Sequence, residues 1–257
     1  MLIDIIPAGR TFLRPGGREG GWNTEPETRD PDDTVVSPFD FTEVSGDFAE
    51  TALDELKRLR PGLTPMLFGS PHDAGMLFER MQYLEERPQD WLAQTRSFDI
   101  DQWLQERQVE HEENQDPDEP FPPRRPWPVD TQPMTALHVP NQLLNPGRKP
   151  AVIIGLLPTD DPTEAAAYLN FGGWNDCPMP PVHIALARRW REQYGAVQVS
   201  NTHDVVEFRV AKPITSRDEA MTLAWLQYHY CTDSIPGSLE ESAAGLIGST
   251  VWYFWWD

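Results

Sequence analysis

A run of six apolar and aromatic residues at positions 251–256, followed by Asp257, constrains the fold more than any other feature of the sequence. The run is too short to cross a bilayer, which takes about 20 apolar residues. Because side chains alternate along a strand, a strand here would carry large apolar groups on both of its faces. Such strands are typical of sheet interiors that are covered on both sides. The run alone therefore predicts a central strand.

The hydrophobic pattern from residue 151 onward predicts the order strand, helix, strand, strand, helix, strand. The strands are expected at 151–157, 196–200, 205–210 and 251–256, and the long helices at 180–194 and 216–230. This order is that of ferredoxin-like βαββαβ folds, in which an antiparallel sheet carries helices on one face. The last strand of that topology lies at an edge, so we also expect the N-terminal half to cover or extend that edge.

The predicted fold class is therefore α+β, with this ferredoxin-like core and a mainly helical N-terminal portion. Residues 1–110 are expected to pack on the core, with helices beginning near Asp47, Ser70 and Asp99 and a short strand at 64–68. Residues 111–150 are interpreted as an acidic, proline-rich linker or insertion, because nine prolines fall between 120 and 150. Residues 151–257 form the predicted core.

Charge and cysteine content limit the possible functions. The net charge of −20 argues against binding to nucleic acid phosphates or to anionic membranes. It is compatible with simple solubility, or with a cationic protein partner steered by the long-range field. Cys177 and Cys231 have neither disulfide-framework nor metal-site spacing, so we expect no metal, no cofactor and reduced thiols in the cytoplasm. The oligomeric state stays open.

Three segments carry a resemblance to a known family. They are FGGWNDCP at 171–178, HDVVE at 203–207 and WYFWWD at 252–257. On these segments the chain resembles the bacterial family called domain of unknown function 4253. The resemblance covers roughly residues 150–257 and extends only weakly to residues 61–68. The resemblance implies no activity. Small acidic bacterial families often prove to be immunity proteins, which is an analogy at the level of class.

The loop at 172–178 and the turn at 203–204 are the candidate site. An enzyme would use Cys177 as nucleophile, His203 as base and Asp176 or Asp204 to orient the base. In a structural interpretation, Asn175 and Asp176 cap the next helix and Cys177 packs as a small apolar residue. The residues at 203–204 then only form the turn between two strands. The candidate binding residues of this region are Trp174, Asn175, Asp176, His203, Asp204 and Glu207.

The sequence favours a non-enzymatic acidic binding protein, in particular an immunity-type inhibitor that neutralises a bacterial toxin, possibly a nuclease, by charge and shape. Carboxylates of the acidic segment would mimic a nucleic acid backbone and contact a basic cleft. They are Glu112, Glu113, Asp116, Asp118 and Glu119. The alternative is a small cytoplasmic enzyme built on Cys177, His203 and Asp176.

Overall fold

A computed structural model describes residues 3–13, 34–114, 122–142, 146–234 and 237–257. Its strands are β1 (Thr11–Leu13), β2 (Thr34–Val36), β3 (Phe41–Val44), β4 (Thr64–Gly69), β5 (Val152–Leu157), β6 (Ala196–Asn201), β7 (Val205–Val210) and β8 (Val251–Trp255). Its helices are α1 (Ala49–Leu59), α2 (Pro71–Arg80), α3 (Pro88–Arg96), α4 (Ile100–Asn114), α5 (Ala165–Tyr168), α6 (Pro180–Tyr194), α7 (Arg217–Tyr230) and α8 (Leu239–Leu246). Each helix in these ranges is too short or too polar to cross a membrane.

The main sheet has six strands in the order β3-β5-β4-β6-β7-β8, and β1 pairs with β2 in a separate hairpin. The predicted α+β class is confirmed. The predicted ferredoxin-like order is not found, because β4 lies between β5 and β6 and pairs with β6 in parallel. All six residues of β4 are buried, so this strand has the two apolar faces that a central position requires.

Helices cover both faces of the sheet, and the expectation of helices on one face is wrong. The larger core contains α2, α6 and α7 and is centred on Trp190, which is fully buried. The smaller core contains Leu53 and Leu56 of α1. Strand β4 contributes to both, since Phe68 faces the larger core and Leu67 the smaller one.

The aromatic strand β8 lies at an edge of the sheet beside β7, so the central position predicted from its composition is wrong. Its outer edge is partly covered by the proline-rich segment and by the turn after α7, instead of by residues 1–110. The main-chain N–H groups of Thr250 and Val251 donate to Met134 O at 2.9 and 3.1 Å. The N–H of Trp255 donates to Ser234 Oγ at 2.9 Å.

Local sequence signals set the helix ends. Ser70 and Asp73 form a reciprocal capping box at the start of α2. Ser216 and Ser238 accept hydrogen bonds from main-chain N–H groups at the starts of α7 and α8. Gly195 ends α6 in the left-handed conformation with φ of 61°, where a residue with a Cβ is strained.

Candidate functional site

The loop at residues 171–178 closes around Trp174. Gly172 adopts φ of 121°, and a Cβ there would overlap Pro178 O, so only glycine fits this turn. The Trp174 ring meets Phe171 edge to face at 4.9 Å, and the Arg80 guanidinium lies 4.3 Å from its centre. Trp174 is half-buried, so most of its ring packs in the loop and a smaller part faces solvent.

Asp176 fastens α4 to this loop. Its carboxylate forms an ion pair with Arg107 of α4 and accepts a hydrogen bond from Thr232 Oγ1 at 2.9 Å. Neighbouring Asn175 donates through Nδ2 to Asp257 O. The predicted capping role is not found, because α6 has Met179 at its N-cap with no side-chain hydrogen bond.

Cys177 has His183 as its polar neighbour. Its Sγ lies 3.7 Å from His183 Nε2. Since Pro178 O can only accept, Nε2 carries the ring proton and donates to it at 2.9 Å, while Nδ1 accepts from the Tyr230 hydroxyl at 2.6 Å. Burial raises the pKa of the Cys177 thiol and lowers the pKa of His183 to about 3. The thiol is therefore protonated, and the imidazole presents no free lone pair to it.

His203 and Asp204 build the turn between β6 and β7. Asp204 Oδ1 accepts from Thr202 Oγ1 at 2.8 Å, and Oδ2 accepts from Trp255 Nε1 at 3.0 Å. His203 Nε2 lies 3.4 Å from Asp204 Oδ2, and burial lowers the pKa of His203. The two residues make the turn, and Asp204 also holds the end of β8 through Trp255.

Arg80 of α2 brings the predicted loop and the predicted turn together. Its guanidinium lies over Trp174, and its Nη1 donates to His203 O at 2.9 Å. Within the described residues, however, no hydrogen bond joins Cys177 to His203. Sequence reasoning missed Arg80, because nothing near it in the chain indicates a contact with residues 94 and 123 positions away.

Glu207 is a buried structural residue in the middle of β7. Its side chain is inaccessible to solvent and accepts from Ser200 Oγ at 2.7 Å. It also accepts from the main-chain N–H groups of His138 and Val139, which belong to the proline-rich segment. Burial raises the pKa of Glu207. This carboxylate fixes the segment on the sheet and offers no surface to a partner.

The acidic candidates fall partly on α4. Glu112 and Glu113 are exposed near its C-terminal end, whereas Asp116, Asp118 and Glu119 lie outside the described residues. None of the residues of α4 is buried, so few apolar contacts hold the helix. Its other exposed carboxylates are Asp101, Glu106 and Glu110.

Polar contacts with α6 and α7 hold α4 in place. Arg107 Nε lies 3.4 Å from His229 O, and Arg189 of α6 pairs with Asp101 at 2.7 Å. The rings of His111 and His229 stack with centres 4.9 Å apart and their Nδ1 atoms at 2.9 Å. Burial, followed by the nearby His111, lowers the pKa of His229 to about 4. One of the two Nδ1 atoms donates a hydrogen bond to the other, and the ring tautomers set which one is the donor.

Comparison with known proteins gives one match. The family model for Domain of unknown function (DUF4253) matches residues 153–257. The predicted resemblance to this family is confirmed over these residues. A search of the curated proteins and a search of the solved structures found no match to the chain.

The DUF4253 match divides the candidate residues. Asp176, Arg189 and His229, which hold α4, lie within it, whereas α4 itself and Arg80 precede it. Strand β4 also precedes it, although β4 separates two strands of the DUF4253 residues. In the described ranges, no three His, Cys, Asp or Glu side chains are grouped as a metal site would require.

Proposed function

We propose that this protein is a non-enzymatic acidic binding protein that docks a cationic protein partner on the outer face of α4. One observation carries the proposal: α4 has no buried residue and exposes Glu106, Glu110, Glu112 and Glu113 along its length. The net charge of −20 adds an attractive field for a cationic partner. Such complementarity raises association rates and selects among partners.

An immunity-type inhibitor of a toxin is the specific form of this proposal, and a nuclease is the toxin class that fits best. Over the seven positions from Glu106 to Glu113, a helix rises roughly 10 Å at about 1.5 Å per residue. One strand of a DNA duplex advances about 3.4 Å along the helix axis per phosphate, so this row has the axial length of about three phosphates. The row therefore suits a basic cleft that normally holds phosphates.

The enzyme alternative has less support. Cys177 is buried as a protonated thiol beside a histidine whose Nε2 already donates to Pro178 O. Asp176 is occupied by Arg107 and Thr232 instead of orienting a histidine. A reactive cysteine needs an accessible, electropositive setting that favours the thiolate.

The first prediction tests the acidic face by charge reversal. The tagged protein is used to isolate a partner from its native cells, and the partner is then expressed alone and together with the protein. We expect a basic partner that is toxic alone and is neutralised on co-expression. Glu112→Arg together with Glu113→Arg should abolish neutralisation and weaken binding at least tenfold, with the wild-type affinity falling steeply as salt increases.

The matched control reverses Glu85 and Glu86 to arginine. Both residues are exposed between α2 and α3, so the control changes the net charge equally. It should retain neutralisation. Equal loss in both double variants would point to net charge alone, and an unaffected complex in the α4 variant would contradict the proposal.

A further inference from the structure

A cavity of about 210 Å³ opens at the uncovered stretch of the β8 edge. It lies between α7, α8 and residues 131–134. At the start of β8, the proline-rich segment covers the strand edge through Met134 O, which accepts from Val251 N–H. At its end, the turn after α7 covers the edge through Ser234 Oγ, which accepts from Trp255 N–H. Among the described residues, no hydrogen bond covers the edge of the strand between these two contacts.

The main-chain groups of Tyr253 point into this opening. The N–H and C=O groups of alternate residues in a strand lie on the same side. The N–H groups of Val251 and Trp255 bond outward, away from β7, while Trp256 N–H donates inward to Asp204 O. Tyr253 therefore faces outward, and neither its N–H nor its C=O has a hydrogen-bond partner among the residues that the structure describes.

Among the described residues, two buried side-chain donors without a hydrogen-bond partner belong to residues that line the same cavity. They are Nε2 of Gln227, from α7, and Nε1 of Trp252, from β8. Buried donors are nearly always satisfied, because leaving them unpaired costs free energy. Together with Tyr253 N–H they make three N–H groups that need acceptors, beside the free carbonyl of Tyr253.

We infer that an extended, uncharged peptide segment of a partner protein binds in this cavity and adds a short strand to β8. One residue of the peptide would accept from Tyr253 N–H and donate to Tyr253 O, as in an antiparallel hydrogen-bonded pair. Carbonyls next to it would accept from Gln227 and Trp252. Glu241 lines the cavity and disfavours a carboxylate, and the small volume selects short side chains.

The length of the opening sets the length of the segment. Val251 and Trp255 are four residues apart, which at about 3.3 Å per residue leaves roughly 13 Å. About three peptide residues fit between the two covering contacts. The cavity is separate from the outer face of α4. The inference of peptide binding can therefore be tested independently of the proposed docking of a cationic partner.

The second prediction tests strand addition by NMR. The full chain, labelled with ¹⁵N, is titrated with acetyl-Ala-Ala-Ala-amide and with the same peptide methylated on the central nitrogen. We expect saturable shifts of the Tyr253 amide, the Trp252 indole N–H and the Gln227 side-chain amide. Methylation removes the donor to Tyr253 O and should weaken binding at least tenfold.

A cavity-filling variant gives a second readout. Gly245 lines the cavity from α8, and an added Cβ would lie 3.8 Å from Thr131 Cγ2, which is ordinary contact. Gly245→Leu should weaken the unmethylated tripeptide at least tenfold while the fold is retained. Ala93→Leu adds a leucine to the exposed side of α3 and should leave binding unchanged.

Several results would overturn the inference. They are an absence of shifts at Tyr253 and Trp252, equal binding of the methylated peptide, or equal binding by Gly245→Leu. A concentration-dependent dimer that shifts the Tyr253 amide without added peptide would identify a second copy of this chain as the occupant and would also overturn it.

Discussion

His183 shows how burial decides the chemistry of a single residue. The partners of its two ring nitrogens set the tautomer. Nε2 donates to Pro178 O, which can only accept, and Nδ1 accepts from the Tyr230 hydroxyl. A proton added to Nδ1 would have to displace the Tyr230 donor and would place a charge where no counterion stands among its hydrogen-bond partners. The residue therefore works as a neutral structural link between the 171–178 loop and α7.

The third prediction follows from this neutrality. In the unfolded chain His183 titrates near 6.5, whereas in the folded protein its pKa is about 3. As pH falls below 6.5 the unfolded state binds the proton first, so stability should fall down to about pH 3, by at most ~1.4 kcal/mol per pH unit from this residue. Urea unfolding at pH 7 and pH 4.5 measures the slope.

His183→Phe is the informative variant. It should reduce this slope, leaving the parts that His111, His203 and His229 contribute through their own lowered pKa values. Because it leaves Pro178 O and the Tyr230 hydroxyl unpaired, it should also cost about 1–3 kcal/mol per buried group at pH 7. An unchanged slope in the variant would show that His183 is not the titrating group.

Residue-level prediction from sequence worked where the signal was local. The turn at 202–204 and the serine caps follow from short-range hydrogen bonding, which the residue types themselves indicate. The pairing of Cys177 with His183 could have been noticed from their spacing of six, since a helix starting at Pro180 places position 183 on its first turn. Arg80 could not, because its two partners come from distant parts of the chain.

At the scale of elements, the proline-rich segment differs from the linker that its composition suggests. Residues 137–139 are anchored on the sheet, with Leu137 and Val139 buried in the smaller core. Proline and the lack of periodicity indicate an absence of helix, which holds for the described residues 122–142 and 146–150, but they carry no information about packing. The anchoring carboxylate, Glu207, is about 70 residues away along the chain.

The fourth prediction tests that anchor. Glu207→Ala leaves the N–H groups of His138 and Val139 without acceptors, so the free energy of unfolding should drop by roughly 2–4 kcal/mol. Amide hydrogen exchange at His138 and Val139 should accelerate more than exchange in α6. Glu43→Ala, an exposed carboxylate on β3, serves as the control and should change stability little. Unaltered exchange at these two amides would exclude the anchoring role.

At the scale of the whole molecule, the sheet joins parts of the chain that composition separates. The DUF4253 match at residues 153–257 contains β6, β7, β8 and all of β5 except its first residue. Nevertheless, β5 and β6 do not pair with each other in the sheet. Strand β4 pairs with both, through Leu67 opposite Ile154 on one side and Ser200 on the other. Sequence patterns predicted β4 to β8 individually, but neither β1 to β3 nor this order. Pairing between strands far apart in the chain leaves no local periodicity.

The fifth prediction is that residues 122–257 do not fold alone. Removing β4 would expose the inner edges of β5 and β6, together with the apolar faces that Phe68 and Leu67 cover. We expect this fragment to aggregate or to lack a cooperative unfolding transition in urea, followed by circular dichroism. Residues 34–257 keep β3 and β4 and should unfold cooperatively, with lower stability because Phe12 is lost from the core. A cooperative transition in the shorter fragment would show that the DUF4253 strands can close on one another, and that β4 is an addition to a complete domain.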